Sequence, residues 1–178
     1  MVSKNSKAEI YTKVLNAAIG LDFKYGHLHW TMTRLAKTTG ISRTLIYYYF
    51  GRSKLDILTE AVHLLGRELA GFSQEKVKLW EENKIAESHL SSRKLLGEIP
   101  TLIPFYYMHR QRPTKLGKLI QKIEIDFQEK LNRFFPAKPQ TTIEAIQGLF
   151  FGLSFAPNLS DEAVRKGIDI VLKGLQKN

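Results

Sequence analysis

The chain has 178 residues, 43% hydrophobic and 25% charged, which suits a folded protein with a small module and a second region with its own core. Cysteine is absent, which excludes disulfides, thiolate metal sites and cysteine nucleophiles. The net charge of +10 is uneven: residues 1–54 carry nine Lys/Arg against two acids, whereas the rest carries 18 against 15.

Ile10, Val14, Ala17, Ala18 and Leu21 recur at helical spacing and predict a first helix ending near Tyr25-Gly26. Thr31 is placed to cap a second helix, whose apolar face is Met32, Leu35 and Ala36. Gly40 stands where that helix must stop, and glycine tolerates the left-handed backbone of such a stop. Ile41 plugs the corner. Ser42 is placed to cap a third helix bearing Arg43, Thr44, Tyr47 and Tyr48. Two short helices about a glycine turn are the layout of a helix-turn-helix, whose second helix enters the major groove of DNA.

Ser53 and Asp56 read as a capping box for a fourth helix with Leu58, Ala61, Leu65 and Leu69 in one stripe. Gly71-Phe72-Ser73 marks a break. The division expected is a DNA-binding head over 1–54, a connecting helix over 53–70 and a body over 71–178. The body opens with a polar helix around Glu75–His89. A further helix from Ser91 or Ser92 meets Pro100 and Pro104, which must kink, break or restart it. Pro113 opens the next helix, with Leu116, Ile120, Ile123, Phe127, Leu131 and Phe134 on one side, ended by Pro136 and Pro139. Thr141 and Glu144 read as a capping box for a helix from Ile143 to about Phe155. Pro157-Asn158 turns the chain. Ser160, Asp161 and Glu162 start the last helix, striped by Val164, Ile168, Val171, Leu172 and Leu175. With no convincing strand, the fold class is all-α: a three-helix head plus a helical bundle.

The run Gly40-Ile41-Ser42-Arg43-Thr44-Leu45-Ile46-Tyr47-Tyr48-Tyr49-Phe50 resembles the DNA-binding signature of the tetracycline-repressor (TetR) family, approximately Gly-Val-Ser-x-x-x-Leu-Tyr-x-x-Phe. Thr31-Met32-Thr33-Arg34-Leu35-Ala36 is similar to the family's Thr-x-x-x-Ile-Ala opening. The resemblance covers roughly the first third of the chain. Gly51-Arg52-Ser53-Lys54 has one residue more than the family's usual spacing, which leaves the phosphate contact open between Arg52 and Lys54. The resemblance implies a bacterial, cytoplasmic, homodimeric regulator of transcription that binds a palindromic operator and represses. It also implies a small apolar or aromatic effector, bound in the body, that weakens operator binding.

The basic head is the electrostatic footprint of a phosphate-binding surface. Arg43 is the candidate for a guanine edge or a phosphate, Thr44 for either, and Leu45 for a thymine methyl. Tyr47 and Tyr48 offer hydroxyls to phosphates, with Thr31, Thr33, Arg34 and Ser42 at the same surface. By resemblance, Ile46 and Phe50 face the core of the head and Tyr49 lies near the groove edge. The plain alternative is three aromatic residues packed in an ordinary helical hairpin.

Ala145, Gly148 and Gly152 form a strip of small residues on an otherwise apolar helix, which lets another helix approach closely. With Leu149, Val164, Ile168 and Val171 they are the candidate dimer interface, as the resemblance implies for the last two helices; a helix buried within one chain is the alternative. Phe105, Tyr106, Tyr107 and His109 follow the proline break, and with Trp80, His89 and Phe127 are candidates for an effector pocket or, alternatively, for plain core.

His27 and His29 are too closely spaced for a metal site and lack companions of ligand type nearby, so neither metal nor cofactor is expected. No P-loop, Rossmann fingerprint, zincin pair or nucleophile elbow occurs, so an enzyme is not expected. Lys4 and Lys7 precede Ile10, but polar residues interrupt every candidate signal-peptide core, and no apolar run approaches the roughly 18 residues of a membrane span. Two rivals remain: a DNA-binding regulator without a small-molecule ligand, and a helical enzyme or lipid-binding module with a basic face.

Overall fold

The computed structural model describes residues 6–156 and 158–176, and they form ten α-helices without a strand. These are α1 Lys7–Tyr25, α2 Met32–Thr39, α3 Arg43–Phe50, α4 Lys54–Glu68, α5 Gln74–Glu81, α6 Ile85–Glu98, α7 Leu102–Arg110, α8 Lys115–Phe134, α9 Gln140–Phe155 and α10 Asp161–Gln176. None of them is long and apolar enough to cross a membrane.

The head forms where the sequence signals place it. Ser6 and Glu9 close a reciprocal capping box on α1. Thr31 accepts from the Arg34 amide and Ser42 from the Leu45 amide, each satisfying an orphan donor at a helix start. Gly40 closes α2 with φ +70° and donates to the Ala36 carbonyl. Trp30, Leu35, Ile41, Ile46 and Phe50 are buried against Val14, Leu15, Ala18 and Ile19 of α1 and Ile57, Leu58 and Ala61 of α4.

That core does not end at the head. It continues through Leu65 and Leu69 to Leu96, Ile99, Leu102, Phe105, Leu116 and Ile120 of the body. A second cluster gathers Trp80, Ile85, Phe127, Leu131, Ile143, Ile146, Phe150, Val164 and Ile168. Two buried lysines secure the turn after α4. Lys130 Nζ donates to the carbonyls of Ala70 and Gly71 at 3.2 and 2.7 Å and stands 4.2 Å from the Trp80 ring centroid. Lys76 Nζ donates to the Ser88 carbonyl at 2.6 Å and the Ser92 hydroxyl at 2.9 Å, and pairs with Glu68 at 3.3 Å.

Several expected boundaries move. Asn83, with φ +57°, divides the expected Glu75–His89 helix into α5 and α6, and α6 then runs unbroken past Ser91 and Ser92. Pro100 follows that helix and Pro104 falls in the first turn of α7, where its missing N–H costs nothing. α8 starts at Lys115, two residues after the expected opening at Pro113, and Thr114 caps it by accepting from the Gly117 amide. α9 starts at Gln140, so Thr141 lies inside it and makes no capping box. Ser53 caps α4 through the Leu55 amide. Pro157 lies outside the described residues. At the α9–α10 corner, Arg93 of α6 donates to the carbonyls of Leu153, Ala156 and Leu159, each at 2.7 Å.

Candidate nucleic-acid interface

α3 is the eight-residue second helix of the helix-turn-helix, and its two faces differ sharply. Ile46 and Phe50 are buried, which roots the helix in the head. Ser42, Arg43, Thr44 and Tyr48 are exposed on the other side, Tyr48 at 79%, an extreme for so large an aromatic. Thr31, Thr33 and Arg34 of the preceding helix are exposed as well. Arg43 Nη1 reaches Thr33 Oγ1 at 3.5 Å, so the two helices present one continuous polar surface. The Arg34 guanidinium lies 4.2 Å from the Tyr25 ring centroid, which limits its wandering.

Other expected contacts are more constrained. Tyr49 packs edge-on against Tyr11, with centroids 5.9 Å apart, and Leu45 is partly buried against the core. Tyr47 is half-buried, with the Arg52 guanidinium 5.9 Å from its ring. Lys54 is placed differently from the other expected contacts. Its ammonium folds inward, donating to the carbonyls of Leu28 and Trp30. Arg52 is exposed.

The seven residues expected to line an effector pocket are spread over two packed regions and the surface. Phe105 lies in the first core cluster, beside the head, with the His109 ring tilted against it at 4.5 Å. Trp80, His89 and Phe127 are buried in the second, where Trp80 lies 6.2 Å from Phe127 and 6.4 Å from His89. Tyr106 bridges toward that group through Phe151, which stacks on Phe127 at 5.6 Å and 7°. The Tyr106 hydroxyl is already used by Glu124, and Tyr107 is exposed. The space beside Tyr106 and Phe151 is about 10 Å³, whereas small-molecule pockets run to about 300 Å³ or more. Apart from Tyr107, these rings pack as core, because rings at helical spacing on packed helices fill the gap that the prolines suggest. An open cleft of about 670 Å³ lies instead between α5 and α8, lined by Phe72, Val77, Lys130, Phe134 and neighbouring charged residues. None of the seven lines it.

The candidate interface residues divide. Ala145, Gly148, Leu149 and Gly152 share an exposed face of α9, Leu149 at 51%, and nothing lies within 4 Å of where a Cβ on either glycine would sit. Val164 and Ile168, by contrast, are fully buried within the chain, and Val171 packs partly against the same core. The apolar stripe of α10 is thus spent inside the chain, and among the described residues the large apolar side chain exposed on that helix is Ile170, at 63%.

One cluster escapes sequence reasoning. Asp22 on α1, His27 in the loop that follows and His109 on α7 meet where head and body join. The signal is absent from the sequence because the third member comes from a distant helix.

No family model matches the chain, and no curated protein does. Two solved structures are similar over nearly its whole length. One is SCO3833, a member of the TetR transcriptional regulator family from Streptomyces coelicolor A3, 14% identical with a TM-score of 0.52, over 91% of this chain and 88% of that one. The other is NalD, the secondary repressor of the MexAB-OprM multidrug efflux pump in Pseudomonas aeruginosa, 19% identical with a TM-score of 0.51, over 92% and 96%. The chain has the all-helical fold of TetR-family regulators.

Proposed function

We propose that the chain is a sequence-specific DNA-binding regulator of transcription, not an enzyme, acting as a homodimer on a palindromic operator. The observation that carries this reading is α3: rooted by Ile46 and Phe50, it offers Arg43, Thr44 and Tyr48 to solvent from a basic head. Arg43 and Thr44 read base edges. Tyr47, Tyr48 and Arg52 meet phosphates, and the exposed caps Thr31 and Ser42 sit beside the backbone. The bare face of α9 supports dimerisation, since exposed small residues beside Leu149 allow close helix approach. Two heads about a two-fold axis then match two half-sites. Occupying an operator favours repression.

The close packing of Phe105, His109, Trp80, His89 and Phe127 favours a version in which no effector sits among these rings. Selection of bound sequences from random duplex DNA, followed by anisotropy titration over a range of salt, tests the core claim. A palindromic consensus with affinity falling steeply as salt rises is expected. Equal, weak binding to all sequences would overturn it.

A further inference from the structure

The geometry points to a divalent transition-metal site, of the kind zinc fills, formed by Asp22, His27 and His109 at the joint between head and body. One ligand atom from each residue lies within 4.8 Å of the others. Asp22 is fully buried, and its two oxygens are committed differently. Oδ1 accepts from the Leu28 amide at 2.8 Å and the Trp30 indole at 2.9 Å. Those two donors fix the carboxylate and leave Oδ2 directed at the histidines. Oδ2 lies 3.0 Å from His27 Nδ1 and 3.9 Å from His109 Nε2. Donors that orient a ligating carboxylate in this way are a recurrent part of metal sites.

His109 supplies the independent observation. Its side chain has no exposure, and neither ring nitrogen has a hydrogen-bond partner among the described residues. A buried imidazole with both nitrogens idle is costly, and its neighbours Phe105 and Asp22 offer it no donor or acceptor in range. A cation held between His109 Nε2, His27 Nδ1 and Asp22 Oδ2 would give the idle Nε2 a partner and join the three side chains. Two imidazoles and one carboxylate, in a chain without cysteine, select zinc and its first-row neighbours over magnesium or calcium. His27 is 30% exposed and gives access from solvent. The ion would tie α1 and its loop to α7.

The test is calorimetric titration of the chelator-stripped, full-length chain with zinc sulfate, repeated with cobalt chloride while following visible absorption. One ion per chain is expected, with cobalt bands typical of a low-symmetry nitrogen–oxygen site and a raised melting temperature. Asp22→Asn, His27→Gln and His109→Gln should each weaken zinc binding about 10-fold or more, by analogy with losses seen around metal sites. His29→Gln and His63→Gln alter exposed histidines and should leave it unchanged. His27 is partly exposed, so its variant remains informative if the two buried ones fail to fold by circular dichroism. Absence of stoichiometric binding overturns the site, as does wild-type affinity in His27→Gln, or loss of binding in His29→Gln. None of these readouts involves DNA, so the site stands or falls apart from the regulatory reading.

Discussion

Lys54 Nζ donates to the Trp30 carbonyl oxygen at 3.0 Å and pins the loop after α1 to the start of α4. The same ammonium reaches the Leu28 carbonyl, and Leu28 is a non-glycine residue at φ +61°. A left-handed leucine needs such external support. Lys54→Met is therefore expected to lower stability by about 1–3 kcal/mol, since two partly buried carbonyls lose a charged donor. Arg52→Ala should leave stability unchanged, weaken DNA binding on every sequence and reduce the salt slope by about one counterion. Urea melts and salt-dependent anisotropy on both variants separate the roles; the reverse pattern would return the phosphate contact to Lys54.

Tyr48 touches little besides Tyr49, with centroids 5.0 Å apart. Tyr48→Ala is expected to change stability by about 0.5 kcal/mol or less, as surface substitutions do, yet to weaken operator binding. Arg43→Ala should cost about 1–3 kcal/mol in binding and relax preference at one position in each half-site. Unchanged affinity in both variants, measured by anisotropy, would remove α3 from the interface.

On α9, Gly148→Leu has open space in the isolated chain and replaces a residue that disfavours helix, so the monomer should stay folded. Its bulk should instead hold a second copy away, at roughly 1–3 kcal/mol for overpacking. Light scattering is expected to give a dimer for the native chain and a monomer for the variant. A native monomer at micromolar concentration would sink the two-headed operator reading.

Burial pulls the His89 imidazole down to about 4, helped by the nearby charges of Lys76 and Lys130 and opposed by its bond to the Ile85 carbonyl. The native state keeps this ring neutral, whereas the unfolded chain protonates near 6.5. Its contribution is therefore complete above 6.5 and is lost as pH falls toward 4, by about 2 kcal/mol at pH 5. His89→Leu should remove that part of the slope. Urea melts at pH 7 and pH 5 provide the comparison, and parallel losses in both proteins would refute the assignment.

The head was legible because its signals are local. Thr31, Gly40 and Ser42 cap helices only eight residues long, so spacing alone locates them. The body was less so. Nothing nearby announces that Asn83 turns left-handed, and a Thr-x-x-Glu pattern at Thr141 looks like a cap whether or not the helix has already begun. Aromatic spacing likewise cannot separate a packed core from a cavity, and the stripe of Val164 and Ile168 does not say which neighbour it faces. Asp22 and His109 come together only through the packing of α1 on α7, which no periodicity encodes.

The Arg93 guanidinium has a bearing on how the chain folds. It closes the corner of α9 and α10 from a helix some sixty residues earlier in the chain. Three carbonyls of the C-terminal hairpin's turn thus take a charged donor from outside the hairpin. A fragment starting after α8 should be poorly ordered, and in the whole chain the hairpin must wait for a contact of long sequence separation, a slow class of event. The face bearing Gly148 and Gly152 would then be finished late, so any pairing of two copies through it would follow folding rather than guide it.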